Sequence, residues 1–395
     1  MPKTLIDLRG LNYPYLTGVN TVTLHILYSI AQNPKLLQKL NLSTFGLSLN
    51  RLSDLRDDFP WLSEFSQKQE LDTVNFTNNT WHQILNLVRF YTNLSHKSLS
   101  QSEIFYQTQP KPFAIPKSCK YITTFHDLSA VKDFNQPNFK QKLQENKYAY
   151  QKIADRADKI ITCSYATAYD LVKTLKVPEN KVKVIYQALP IWDKLRVQKI
   201  NQLESIDEQK LIKKVQKPYF LALSAFEYRK NYHNLIVAWK LISKNEPSIY
   251  ENHELIIAGS MVDRQYFKYL TDLIQKLELK NVRLLTDISN QNKQDLLQNC
   301  VCLVYTSLYE GFGFPILEAQ KYGKAVLTSN VSSMPEISGK GSLLVNPLDC
   351  LQISEGLAIL AKDNVFRKML ESESESNLAR FSWGEYQKEL ESVLI

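Results

Sequence analysis

The sequence predicts an α/β protein built from two doubly wound, Rossmann-like domains. Its 395 residues exceed the size of one ordinary domain. Short β-branched runs alternate with helical patterns, which is typical of mostly parallel sheets covered by helices on both faces. This alternation stops at a charged segment and starts again at Pro218. Two such domains facing each other form a cleft, and open parallel sheets bind ligands beyond the carboxyl ends of their strands.

Residues 1–195 are expected to form the N-terminal domain. A first strand is predicted in KTLIDLR (residues 3–9), and a helix follows in TGVNTVTLHILYSIAQ (residues 17–32) after a turn at Gly18. Three later β-branched runs predict further strands: KYITTFHD from Lys120, IITCS from Ile160 and KVIY from Lys183.

Residues 196–217 carry many charges and no apolar strand, so we interpret them as the interdomain connection. The C-terminal domain is expected to span residues 218–378. Residues 379–395 predict a final amphipathic helix that packs back on the N-terminal domain. The predicted strands of the C-terminal domain lie in five runs: PYFLALSA from Pro218, ELIIAGS from Glu254, NVRLLTD from Asn281, CVCLVYTS from Cys300 and KAVLTS from Lys324.

The net charge of +8 is concentrated in the N-terminal half. Residues 1–200 hold 26 Lys and Arg against 16 Asp and Glu, a net charge of +10, whereas the remaining residues hold 22 against 24. A basic half is typical of proteins with an anionic partner, such as a membrane surface, a phosphorylated lipid or nucleic acid. A solvated lysine-rich surface without a partner explains it equally well. Nothing resembles a helix-turn-helix or an RNA-binding signature, so nucleic acid is not the expected partner.

The cysteines and the N-terminus favour a cytoplasmic protein. The five cysteines show no paired framework, and no histidine lies near Cys300 and Cys302 to complete a zinc set. These two cysteines are expected on one face of a buried strand, as reduced thiols. The first ten residues contain no signal-peptide core, and no apolar run approaches the ~20 residues that cross a bilayer.

The most informative stretch is YEGFGFPILEAQKYG (residues 309–323), in which Glu310 and Glu318 flank a glycine-rich turn. It follows a predicted strand and continues into a helix that starts at Pro315 and is capped by Gly323. The glycines let a ligand approach the backbone, and the amides of a helix N-terminus suit an anion or hydroxyl groups. Ionised carboxylates only accept hydrogen bonds, which suits the vicinal hydroxyls of a sugar.

Other interpretations of this stretch are open from the residues alone. Ile316 stands where a dinucleotide fingerprint needs its third glycine, and the chain has no GxxxxGK[ST] phosphate loop. Alternatively, one carboxylate caps the helix and the other is solvated.

The chain resembles a family 4 glycosyltransferase of the GT-B fold, a family that uses nucleotide-activated sugars and retains the anomeric configuration. The resemblance is carried by the E-x7-E pattern of Glu310 and Glu318 and by the run GKAVLTSNVSSMPEISGKGSLLVNPLD behind it. It covers nearly the whole chain, because it extends to FEYRKN (residues 226–231), TFHDLS (124–129), ADRADKIITCS (154–164) and the N-terminal IDLRGL and TGVN.

The resemblance implies a role for each matching residue. Glu318 would bind the ribose of the donor nucleotide, and the segment of Ile288 would bind its base. The C-terminal domain would thus hold the donor and the N-terminal domain the acceptor. The implied catalytic residues are His126, Glu310, Arg229 and Lys230, of which Glu310 and His126 contact the transferred sugar and the two cations pair with the diphosphate. Further implied donor contacts are Gly18, Gly311, Phe312, Gly313 and Phe314, through backbone groups.

Each of these roles has a structural alternative, and the chain departs from the family at two places. The RKN motif also suits a solvated helix start, and His126 also suits a structural histidine at a strand end. Ser224-Ala225 precede the Arg-Lys pair where the family often has Gly-Thr, and Asn20 stands where an arginine is common.

The implied activity is that of a retaining, metal-independent hexosyltransferase of polysaccharide biosynthesis. The chain has no D-x-D triplet to hold a metal-bridged diphosphate. No cofactor is expected, and GDP-mannose is the favoured donor, with UDP- and dTDP-sugars open. The acceptor is expected to be a glycan or a lipid-linked glycan, reached from the cytoplasm at the inner face of the membrane. The alternatives are a sugar-nucleotide epimerase, a non-catalytic sugar-nucleotide sensor, or a nucleic-acid-binding or modifying protein.

Overall fold

The computed structural model describes residues 4–12, 18–33, 36, 42–45, 55, 61–62, 102–133, 140–189, 217–286 and 288–395. These residues form two compact units. The N-terminal unit consists of the described residues within Met1–Lys132, Asn138–Ile200 and Phe381–Ile395. The C-terminal unit consists of the described residues within Asp133–Pro137 and Asn201–Arg380. Each unit contains a six-stranded sheet with parallel pairing, so the predicted class of two doubly wound α/β domains is confirmed. Almost all of the connection predicted at 196–217 lies outside the described residues.

The sheet of the N-terminal unit has the strand order β2-β1-β3-β4-β5-β6. Short 3-10 turns lie at Arg9–Asn12, Ser129–Val131 and Glu179–Lys181. The strands are β1 (Thr4–Asp7), β2 (Leu42–Phe45), β3 (Ile104–Gln107), β4 (Lys120–Phe125), β5 (Lys159–Thr162) and β6 (Val182–Val184), and the helices are α1 (Gly18–Ala31), α2 (Lys140–Arg156) and α3 (Tyr165–Leu175).

The sheet of the C-terminal unit has the order β12-β11-β10-β7-β8-β9. Its strands are β7 (Tyr219–Leu223), β8 (Glu254–Gly259), β9 (Val282–Thr286), β10 (Cys302–Tyr305), β11 (Val326–Ser329) and β12 (Ser342–Val345). Its helices are α4 (Tyr232–Asn245), α5 (Pro247–Asn252), α6 (Arg264–Lys276), α7 (Asn290–Asn299), α8 (Phe314–Lys321), α9 (Met334–Ser338), α10 (Cys350–Lys362), α11 (Asn364–Ser372) and α12 (Ser374–Leu378), and 3-10 turns lie at Tyr228–Lys230 and Ala379–Phe381.

Successive residues of β7 enter opposite core layers of the C-terminal unit. Phe220 packs with Trp239 of α4 in one layer, and Leu221 packs with Ile316 of α8 in the other. Helices therefore cover both faces of this sheet, as expected for buried parallel strands. Functional side chains are therefore expected in the loops beyond the carboxyl ends of the strands.

The C-terminal helix α13 (Trp383–Leu394) belongs to the N-terminal unit. The Trp383 ring lies 4.9 Å from the His25 ring and 5.2 Å from the Tyr28 ring of α1, measured between centroids. Its Nε1 donates a hydrogen bond to the Leu189 carbonyl at 3.1 Å. Across the described parts of both units, no helix has the length and apolarity that a bilayer span requires.

Cys300 and Cys302 do not share a strand face, so this expectation was wrong. β10 begins only at Cys302, and Cys300 is the residue that caps the end of α7. The two side chains consequently enter opposite core layers. All five cysteines are free thiols; four are buried and Cys350 is half-buried. Burial raises the pKa of Cys300 to about 12, so this thiol stays protonated.

Candidate functional site

The E-x7-E stretch forms the loop after β10 and then helix α8. The first helical residue is Phe314, with Pro315 second. Gly313 caps the helix at a φ of +112°, a backbone conformation that disfavours any side chain. Tyr322 caps the other end, and Gly323 follows at a φ of +63°. The N-cap residue of α8 is Gly313, so neither glutamate is its N-cap residue.

Glu310 is the centre of a partly buried cluster of charges, here called the Glu310 cluster, that also contains Glu227, Arg229 and Lys230. Arg229 donates from Nη1 to Glu310 Oε2 at 2.7 Å, and Lys230 donates from Nζ to Glu310 Oε1 at 2.6 Å. Glu227 accepts from Arg229 Nε at 2.9 Å. Glu310 and Lys230 are each 6% exposed. The alternatives of a solvated carboxylate and a solvated RKN motif are therefore wrong.

Burial and charge act in opposite directions on the Glu310 cluster. Burial raises the pKa of Glu310, but Arg229 and Lys230 outweigh it and hold the pKa at about 2. Burial and the Arg229 charge lower the pKa of Lys230, whereas Glu310 raises it. The carboxylate is therefore ionised at neutral pH, and it supports the protonated form of Lys230.

Asn231 fixes the turn that carries the two cations. It is fully buried and has a left-handed backbone, with a φ of +62°. Its Nδ2 donates to the carbonyls of Thr306 at 2.9 Å and Pro347 at 2.7 Å, which follow β10 and β12. Asparagine tolerates this backbone region better than most residues. The RKN motif includes Asn231, but these two long-range bonds could not be predicted from the order of the residues.

Two serines of the SNVSSMPE run hold the loop that carries Glu310. Ser332 Oγ accepts from the Glu310 amide at 3.2 Å and donates to the Glu310 carbonyl at 2.6 Å. Ser333 Oγ donates to the Phe312 carbonyl at 2.8 Å. Gly311 lies between these anchored positions, and the Phe312 and Phe314 rings meet edge to face at 5.1 Å. The sequence analysis does not predict these serines as site residues, although they lie in the run that carries the family resemblance.

Glu318 of α8 pairs with a lysine that the sequence did not single out. Lys293 of α7 donates from Nζ to Glu318 Oε1 at 2.6 Å. Ile288 lies just before Ser289, the residue that caps α7, and is partly buried against the core. Lys293 and Glu318 thus join two neighbouring helices of the C-terminal unit, and Ile288 lies just before the first of them.

Gly18 and His126 belong to the N-terminal unit, where Gly18 is the first residue of α1 and His126 follows β4. His126 Nε2 lies 2.7 Å from the Thr108 carbonyl. A carbonyl only accepts, so Nε2 carries the proton and Nδ1 is the acceptor of the neutral ring. Burial lowers the pKa of His126 and outweighs the opposing effects of Thr108 and Asp127. The ring is therefore neutral at pH 7.

Two family models match the sequence: Glycosyl transferases group 1 over residues 204–377 and Glycosyltransferase Family 4 over residues 107–191. The serotype-specific mannosyltransferase WbdA of Escherichia coli is 25% identical over 278 residues, which are 67% of this chain and 32% of WbdA. The O-antigen chain mannosyltransferase RfbU of Salmonella typhimurium is 30% identical over 237 residues, 60% of this chain and 59% of RfbU. The chain thus spans about a third of WbdA and under two thirds of RfbU.

A solved structure, Anabaena Alr3699/HepE in complex with UDP-glucose, is similar with a TM-score of 0.69 and 17% identity, covering 100% of this chain and 99% of that one. Similarity at this identity shows the fold. The two family models match in chain order, one in each unit of the GT-B architecture. The chain therefore has the GT-B fold, and each of its two units matches a model of a glycosyltransferase family.

Proposed function

We propose that this chain is a retaining hexosyltransferase that moves a mannosyl group from GDP-mannose to a glycan or lipid-linked glycan. The observation that carries the proposal is the Glu310 cluster, in which one buried carboxylate fixes two cations beside a glycine-rich loop. WbdA and RfbU are both named mannosyltransferases, and RfbU acts on the O-antigen chain by name. These names favour a mannosyl donor and a polysaccharide acceptor.

Arg229 and Lys230 would pair with the diphosphate of the donor. As the bond between the sugar and the phosphate oxygen breaks, negative charge accumulates on the departing diphosphate. Cations fixed at that place stabilise the transition state more than the ground state. Glu310 would accept hydrogen bonds from the hydroxyls of the transferred sugar. The acceptor hydroxyl would attack from the face that the diphosphate leaves, and its proton would pass to the leaving phosphate oxygen, which gives retention without a covalent enzyme intermediate.

The remaining predicted residues complete this proposal. The neutral ring of His126 would contact the sugar near the reacting carbon, and Gly18 would bring its amide to the phosphate. Ile288 would pack on the base, Glu318 would bind the ribose, and the backbone of residues 311–314 would help to hold the sugar and the diphosphate.

A donor panel tests the proposal. The purified chain is incubated with GDP-mannose, UDP-glucose and a dTDP-sugar, with and without EDTA, while thermal stability and nucleoside diphosphate release are measured. We expect GDP-mannose to raise the melting temperature and to be slowly hydrolysed, with the same rate in EDTA. Failure of every sugar nucleotide to bind would overturn the glycosyltransferase proposal. Turnover lost in EDTA and restored by Mn²⁺ or Mg²⁺ would overturn metal independence.

The proposal extends to the inner face of the membrane. The net charge of +10 on residues 1–200 suits an anionic lipid surface, to which each basic residue near the surface contributes about 1 kcal/mol. We expect the chain to float with vesicles that contain phosphatidylglycerol and to remain unbound with pure phosphatidylcholine vesicles at low salt. Equal behaviour with both vesicles would contradict this contact.

A further inference from the structure

The pair of Lys293 and Glu318 joins α7, which follows the segment of Ile288 assigned to the base of the donor, to α8, which carries the glutamate assigned to the ribose. Lys293 is the fourth residue of α7, directly after the segment of Ile288, and Glu318 is the fifth residue of α8. Their contact of 2.6 Å is partly shielded, because the Glu318 side chain is 13% exposed and the Lys293 side chain 28%. Neither residue belongs to the Glu310 cluster.

The contact between Lys293 and Glu318 leaves an acceptor on Glu318 and donors on Lys293 that can bind a ligand. Glu318 Oε1 accepts from Lys293, whereas Glu318 Oε2 is buried and has no hydrogen-bond partner among the described residues. An ammonium group has three N–H donors, and within the described chain Lys293 uses one of them, on Glu318. On the same helix, Asn292 is 6% exposed and its Nδ2 also finds no partner there. Buried polar atoms of this kind are costly unless a ligand or another group satisfies them.

We propose that Lys293 is a nucleotide-recognition residue, which rests on the proposed function and extends it. Lys293 holds Glu318 through Oε1 and so presents Oε2 as the acceptor for one ribose hydroxyl. The remaining ammonium protons of Lys293 donate to the oxygen of the neighbouring hydroxyl. A carboxylate alone is acceptor-only, whereas the pair offers a donor and an acceptor to a cis-diol. The ligand class is therefore a ribonucleoside diphosphate with both hydroxyls free.

Replacement of Lys293 with methionine tests this role, because methionine keeps most of the aliphatic stem and removes the donors. The full chain is titrated by calorimetry with GDP, 2′-deoxy-GDP and 3′-deoxy-GDP, with UDP as a second nucleotide. We expect Lys293→Met to weaken GDP binding about tenfold or more, as for a hydrogen bond to a charged group. For the deoxy analogue that lacks the hydroxyl bound by Lys293, the loss should shrink to below about threefold.

Lys362→Met is the matched control, since Lys362 is also ion-paired, to Glu246 at 2.5 Å, with a side chain that is 57% exposed. It should bind every nucleotide as the wild type does. Lys293→Arg keeps the donors and the charge, so it should retain more GDP affinity than Lys293→Met. This second variant keeps the role of Lys293 testable if Lys293→Met does not fold. Unchanged GDP binding by Lys293→Met, or an equal loss for all three guanine nucleotides, would overturn the role of Lys293 alone. No binding of GDP or UDP by the wild type would overturn the proposed function as well.

Discussion

Replacement of Glu310 with glutamine is expected to reduce glycosyl transfer by about a hundredfold or more, the usual loss when one preorganised charged group is removed. The substitution keeps the shape of the side chain but removes the charge that Arg229 and Lys230 face at 2.7 and 2.6 Å. Two cations then remain in a site where Lys230 is 6% exposed. Breaking a buried ion pair by removing one partner costs about 3–5 kcal/mol, so the melting temperature should also fall.

The same variant should change the pH dependence of stability. The folded-state pKa of Glu310 is about 2, below its ordinary value of 4.5. A carboxyl group with a depressed folded pKa contributes stability that is complete above the unfolded pKa and is lost as the pH falls toward the folded pKa. The wild type should therefore lose stability between about pH 4.5 and about pH 2. In Glu310→Gln this component should be absent, so the curve should be flatter over that range.

The residual activity of Glu310→Gln should also shift along the pH axis. Glu310 raises the pKa of Lys230 against the effects of burial and Arg229. Without the carboxylate, Lys230 should lose its proton at a lower pH, and the alkaline limb of the rate profile should move down. Rates and urea unfolding measured across pH check both effects.

Glu246→Gln is the control for Glu310→Gln, because Glu246 pairs with the exposed Lys362 and a surface pair contributes below about 1 kcal/mol. It should melt and turn over like the wild type. If Glu310→Gln kept its activity within about threefold and its stability within about 1 kcal/mol, the Glu310 cluster would be neither catalytic nor stabilising.

Two of the strands that the sequence predicted correctly, β7 and β8, are long and almost fully buried. Every residue of β7 is buried, and five of the six residues of β8, so their side chains read as continuous apolar segments. β12 escaped prediction because none of its first three residues is buried, and its edge position leaves Leu344 exposed. β2 and β3 are only four residues long, which gives a weak periodic signal.

The motif residues could be found from the sequence, but their partners could not. Glu310 and Arg229 are 81 residues apart in the chain and meet because β10 lies beside β7 in the sheet. Nothing in the order of the residues shows that neighbourhood. The pair of Lys293 and Glu318 likewise depends on how α7 and α8 pack. Resemblance to a family predicts residue types at motif positions. Lys293 lies outside every motif, so only its contact with Glu318 in the structure identifies it.

Replacement of Gly259 with alanine is expected to destabilise the C-terminal unit by more than about 4 kcal/mol, which places it among the exceptional substitutions. A Cβ atom at Gly259 would lie 1.8 Å from the Ser224 carbonyl oxygen, 2.5 Å from its carbon and 3.2 Å from the Ala225 nitrogen. All three are backbone atoms, so no side-chain rotation can relieve the overlap. The ends of β7 and β8 would have to separate.

That separation would disturb bonds on which the Arg229–Lys230 turn depends. The Ser224 amide donates to the Ala258 carbonyl at 3.0 Å, and the Ser224 carbonyl accepts from the Tyr232 hydroxyl at 2.9 Å. Ser224 and Ala225 lead directly into the turn that carries both cations. A displacement of catalytic groups by about 1 Å can lower the rate about a hundredfold, so any folded fraction should also transfer poorly.

Gly384→Ala is the matched control for Gly259→Ala, because a Cβ atom at Gly384 meets nothing within 4 Å. Gly384 lies inside α13, where alanine is more favourable than glycine by up to about 1 kcal/mol. Urea unfolding should therefore show an unchanged or higher midpoint for Gly384→Ala and a large loss for Gly259→Ala. Equal midpoints for the two variants would mean that β7 and β8 do not approach each other closely at Gly259. The close approach would then not explain how the Arg229–Lys230 turn is held in position.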